Sequence, residues 1–140
     1  MEQAEIDSLQ DYLSEMFGEE ELSVLQHPED DDQALVAIGR EFFARIDRDE
    51  DEGELSYNFS KDIADGPHEE LDARLKDIFN NDQVNLRKRA NKADSAEVYR
   101  GDEFLGVLYD DEGSQDGMQV LNMAILDIDL AGGVESVEDI

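Results

Sequence analysis

Apolar residues recur at helical spacing in two stretches of the chain. Ile6, Leu9, Tyr12, Leu13, Met16 and Phe17 form one stripe, and Leu71, Leu75, Ile78 and Phe79 form another. Positions three and four apart share one face of a helix, so each stripe predicts an amphipathic helix of about three turns with that face buried. Gly18 closes the first helix and Asn80 or Asn81 the second, because these residue types accept the left-handed backbone of a helix C-terminus. Pro67 suits the opening turn of the second helix, where a missing N–H removes no hydrogen bond. After each helix the pattern changes to alternation: "LSVLQ" and "VNLRK" come first, then two strands around "GR" (39–40) or "GD" (101–102). Glycine between alternating runs signals a two-residue hairpin, since it supplies positive φ without a Cβ clash. The second hairpin strand, "EFFARID" or "EFLGVLYD", ends in an acidic turn and leads to a last strand, "LSYNF" or "MAILDIDL".

The two halves are copies. A shift of 62 positions, without a gap, lays "LQDYLSEMF" on "LDARLKDIF" and "ALVAIGREF" on "AEVYRGDEF". It pairs Leu9 with Leu71, Leu13 with Leu75, Phe17 with Phe79, Val36 with Val98, Gly39 with Gly101, Phe42 with Phe104 and Ile63 with Ile125. The identities fall at apolar and turn positions, which acidic composition alone does not produce, so the chain is a tandem duplication. The expected class is α+β: two repeats, each a helix plus about four antiparallel strands, spanning 1–66 and 67–130. One helix on a small sheet buries too little to be robust alone, so the repeats are expected to pack as a pseudo-twofold fused dimer. Residues 131–140, "AGGVESVEDI", lack a period and read as a flexible tail.

The second copy, "KADSAEVYRGDEFLGVLYDDEG" followed by "MAILDIDL", resembles a small alphaproteobacterial family, domain of unknown function 3126, whose members are about one repeat long. The first copy keeps the acidic "DEDEGELSYNF" segment but has "SKDIADG" in place of "MAILDID". The resemblance implies a single-repeat relative that pairs with itself, of which this chain is a tandem version. It brings no catalytic residues.

Charge narrows the function classes. Thirty-nine acidic against eleven basic residues give a formal charge of -28, which excludes general affinity for nucleic acid or anionic membrane and makes a basic protein the natural partner. Solubility or salt adaptation accounts equally for such acidity. Cysteine is absent, so there is no disulfide, thiol nucleophile or cysteine-ligated metal. The start "MEQAEIDSLQ" is acidic and amphipathic, unlike a signal peptide, and no stretch approaches the roughly 20 apolar residues of a membrane span. A soluble cytoplasmic monomer, built as a pseudo-dimer, is expected.

Candidate chemistry is sparse. Asp47, Asp49 and Asp51 open like a calcium loop, but the position that needs glycine is Glu52 and the one that needs a bidentate glutamate is Asn58. Alternate side chains of a strand stand about 6.5 Å apart, too far to converge on one ion. The segment therefore reads as a soluble hairpin tip, with weak cation binding through 47–54 as the remote alternative. His27 and His68 are single and unpaired in the repeat; no nucleophile, phosphate loop or cofactor signature is present, and no enzyme is expected. "RKRANK" is the anomaly: Arg87, Lys88, Arg89 and Lys92 stand where the first copy has Leu25, Gln26, His27 and Asp30. This patch is expected to meet carboxylates of the first copy, or else to dock an acidic or phosphate-bearing partner. Strict alternation sets Phe42, Ala44 and Ile46 on one face and Phe43 and Arg45 on the other, with Leu105, Val107 and Tyr109 on that second face in copy two. Phe43 and Tyr109 are thus the aromatic candidates for partner binding. The expected function is a non-enzymatic acidic interaction module, of adaptor, chaperone-like or regulatory type. The alternatives are a nucleic-acid mimic that occupies a basic cleft, and a weak divalent-cation binder.

Overall fold

Both apolar stripes are helical. In the computed structural model α1 runs Gln3–Phe17 and α2 runs His68–Phe79. The structure describes residues 2–51, 53–89, 92–110 and 117–126, with the side chains of all of these except 51, 89 and 92–94. The expected tail, 131–140, lies outside the described residues. Ile6, Leu9, Leu13 and Phe17 are the buried face of α1, and Leu71, Leu75 and Phe79 that of α2. Gly18 (φ 62) and Asn80 (φ 53) take the left-handed cap, so of the two asparagines it is Asn80 that closes α2. Pro67 precedes α2 as its N-cap residue.

Each helix is followed by four strands. These are β1 (Leu22–Gln26), β2 (Gln33–Ile38), β3 (Glu41–Asp51) and β4 (Glu54–Ala64), then β5 (Val84–Arg89), β6 (Lys92–Arg100), β7 (Glu103–Tyr109) and β8 (Met118–Leu126). They form an eight-stranded antiparallel sheet of order β1-β2-β3-β4-β8-β7-β6-β5, so the class is α+β with two helix-plus-strand repeats. Gly39 (φ 63) and Gly101 (φ 62) make the two-residue hairpins. Their N–H groups donate to the Glu21 and Gln83 carbonyls, 62 positions apart like the glycines themselves.

The acidic segment is the end of a hairpin, but its strands run farther than the sequence reading had them: β3 continues through Asp47 and Asp49 to Asp51 and β4 resumes at Glu54, with Gly53 (φ 83) before it. Pairing with β2, in which Gln33 faces Asp47, carries β3 into a run whose residue types have low strand preference. In the second repeat Gly117 (φ 82) likewise precedes β8. Gly53 and Gly117 lie 64 positions apart, a local offset from the 62-residue correspondence, which holds again at Ile63 and Ile125, both buried.

By packing, the chain divides into two compact units, Met1–Phe59 with Ala124–Ile140, and Ser60–Met123. The first unit's core sets Leu9, Leu13 and Phe17 of α1 over Val24, Val36 and Ile46, all at most 3% exposed. Phe17 meets Phe43 edge-on at 5.2 Å and Phe59 at 5.4 Å between ring centres. The second unit's core holds Leu75 and Phe79 with Val84, Val98, Leu108 and Leu121. In it Gly106 lets β8 approach, since a Cβ there would collide with the Asn122 carbonyl and lie 2.8 Å from Met123 Cγ.

Candidate interaction face

In the first unit, alternation sends Val24, Ala34, Val36, Ala44 and Ile46 toward α1 and leaves the other face to Leu25, Leu35, Ala37 and Arg45. A β-bulge then changes the phase. Val36 pairs with Ala44 but Ala37 pairs with Phe42, so Phe43 is the extra residue on β3. Its ring turns under the sheet onto Phe17 and Phe59, and Phe42 stands in solvent, 66% exposed. Phe42 therefore does not share a face with Ala44 and Ile46, and Phe43 is half-buried, with its ring against Phe17 and Phe59.

The second unit repeats this device. Val98 pairs with Gly106 and Tyr99 with Phe104, which makes Leu105 the extra residue; it is buried, whereas Phe104 is 53% exposed. Leu105 thus parts from Val107 and Tyr109. On the face opposite α2, Tyr99 meets Phe104 edge-on with ring centres 5.7 Å apart, and the Arg87 guanidinium lies 4.0 Å above the Tyr99 ring centre. Arg87 also donates to Asn85 Oδ1 (2.9 Å), the Gly101 carbonyl (2.7 Å) and Asp102 Oδ1 (3.2 Å). The Tyr99 hydroxyl donates to Glu97 Oε1 at 3.0 Å. That bond, burial and the Glu97 charge hold the phenol above its ordinary pKa, against the pull of Arg87.

Within the basic patch, the groups that hold Arg87 belong to its own repeat, between Asn85 and Asp102. Lys88 is exposed; the Arg89 and Lys92 side chains lie outside the described residues. Tyr109 is half-buried, in register with Ser95 and Val120.

Asp47 accepts from Gln33 Nε2 at 2.8 Å, Asp49 is exposed farther along the strand, and the Asp51 side chain lies outside the described residues. Among the described residues no group of three or more His, Cys, Asp or Glu is placed to hold a metal ion. A different carboxylate is organised. Glu5 Oε2 accepts from the Tyr57 hydroxyl (2.6 Å) and from Arg48 Nε (2.9 Å), and Glu5 Oε1 accepts from the Glu2 N–H (2.8 Å). The cluster joins α1 to β3 and β4; a core tyrosine, 1% exposed, supplies the hydroxyl.

The sequence reading missed Leu25, Tyr99 and the exposure of Phe42 and Phe104. A signal for the last two was present, since Phe42 and Phe104 are an identical pair beside the repeated turn.

The model of a family described as a protein of unknown function, DUF3126, matches the chain twice, over residues 5–66 and 68–129. The chain belongs to this family, as a tandem duplication of its domain. No curated protein and no solved structure matches it. Among the described residues of this DUF3126 chain, each matched segment carries a helix and a bulged hairpin with an exposed phenylalanine just after its turn. No helix among the described residues is long and apolar enough to cross a membrane.

Proposed function

We propose that this DUF3126 protein is a non-enzymatic cytoplasmic interaction module that docks another protein through the strand face that lies opposite the helix within each repeat. One observation carries this reading: both repeats use a β-bulge to tuck one side chain under the sheet, Phe43 or Leu105, and to leave the preceding phenylalanine in solvent. A large ring in water forgoes about 25 cal/mol for each Å² that a partner would cover. A single exposed ring is ordinary, but the same ring at the same repeat position, with Leu25 also 53% exposed, fits a docking patch. The charge of -28 supports a basic partner over an acidic one.

The test is affinity capture from source-cell extract with the full chain and with its Phe42→Ser/Phe104→Ser variant, which removes exposed rings and leaves both cores intact. Loss of a captured protein from the variant is expected. Retention of every wild-type partner would refute docking through this face.

The acidic strand supports a second reading, nucleic-acid mimicry, because Asp47 and Asp49 are set on one face of an extended β3. It predicts that polyanionic DNA competes the partner away from the wild type, and partner binding that DNA leaves unchanged would exclude it.

A further inference from the structure

We infer that the first repeat holds an open receptor site for an aromatic side chain next to a lysine or arginine of a basic protein segment. The inference rests on the proposed docking role, and its template is the second repeat. There the row on the face opposite the helix is complete: Arg87 over Tyr99, Tyr99 edge-on to Phe104. The same positions of the first repeat are Leu25, Ala37 and Phe42, and the registers agree, since Ala37 pairs with Phe42 as Tyr99 pairs with Phe104. The phenylalanine is kept while its ring partner is cut back to a methyl group. Phe42 is accordingly more exposed than Phe104, 66% against 53%.

What would fill the gap follows from the template and from charge. An aromatic ring laid over Ala37 would meet Phe42 edge-on, as Tyr99 meets Phe104, and Leu25 would cover its flank. A neighbouring cation is favoured because residues 1–59 carry nineteen acidic side chains and three basic ones, with exposed Glu41 beside Phe42, although Arg45, opposite Leu35, is a cation on the same face. A second copy of the chain is disfavoured as occupant by the same charge, since it would bring another -28 to the face.

The test uses the isotope-labelled full chain and two lysine-rich peptides, one with a central tyrosine and one with alanine in its place. The tyrosine peptide is expected to shift the amide signals of Leu25, Ala37 and Phe42, and the alanine peptide to bind about tenfold more weakly. Ala37→Tyr writes the second repeat's residue into the first and should abolish binding by filling the site from within. Leu25→Arg/Ala37→Tyr, which rebuilds the whole row, gives the same answer should the single variant lose its fold. No binding by the wild type, or equal binding by the filled variants, overturns the inference. If Phe104→Ser alone abolishes binding, docking through the sheet face stands and the assignment to the first repeat falls; if none of these variants changes it, both fall. A wild-type dimer in sedimentation that Ala37→Tyr dissociates would make a second copy the occupant and also overturn the inference.

Discussion

Glu5 takes three hydrogen bonds on two oxygens, and the balance of its surroundings sets its titration. Burial pushes its carboxyl up, but the Tyr57 hydroxyl, the Glu2 N–H and Arg48 together outweigh burial and hold it below the usual carboxylate value. A carboxylate lowered on folding binds fewer protons in the folded than in the unfolded chain over the interval between the two values. Its stabilisation is thus complete above the ordinary carboxylate range and is lost as pH falls through the lowered value. Glu5→Gln should cost about 1–3 kcal/mol at neutral pH, and urea titrations should show the gap between wild type and variant closing on acidification. A gap that stays constant with pH would mean that the carboxylate charge contributes nothing. This cluster could not be read from the sequence. Glu5, Arg48 and Tyr57 come from three elements, and with thirty-nine acidic residues no single one stands out.

At the scale of elements, each helix is tied to the strand after it by the same bond. Gln10 Oε1 accepts from the Val24 N–H at 3.0 Å, and Asp72 Oδ1 accepts from the Leu86 N–H at 2.8 Å, with both members displaced by 62 positions. β1 and β5 end the strand order, so these bonds occupy N–H groups that an edge strand would otherwise offer to another chain. Burial pushes Asp72 up, but its bonds from Lys76 and Leu86 and the charge of Lys76 bring it below its ordinary value. Asp72→Ala should cost about 1–2 kcal/mol and speed hydrogen exchange at the Leu86 amide more than at Val98; unchanged exchange at Leu86 would refute the tether. Gly106→Ala should cost about 1–3 kcal/mol or more in the same unfolding assay, because a methyl group meets the Asn122 backbone there, although the equivalent residue of the first repeat is Ala44. Helices and tight hairpins were legible because stripe, cap and glycine all act locally. The bulges were not: an extra residue leaves no mark in the alternation, so strict period two put Phe42 on the wrong face and missed the contacts of Phe43 with Phe17 and Phe59. Asp47 to Asp51 misled for a related reason: β2 pairs with β3 as far as Asp47 and β4 lies along its other side, so pairing extends a strand that composition alone would end.

For the whole molecule the charge is the dominant quantity. A net charge of -28 on 140 residues opposes compaction, and salt relieves it: the screening length falls from about 30 Å at 0.01 M to about 10 Å at 0.1 M. The thermal midpoint should rise by several degrees over that interval; a flat or falling midpoint would show that self-repulsion is already relieved within the fold. The duplication was legible at this scale because its identities sit at core and turn positions, whereas the docking face was not, since exposure depends on the bulge. That face is the central claim, and site-specific photocrosslinking tests it most directly. Benzoylphenylalanine placed at 42 or 104 of the full chain, in source-cell extract, should give one crosslinked partner, while the probe at exposed helix positions 15 or 77 should give none. Crosslinks from 15 or 77 with silence at 42 and 104 would contradict the account.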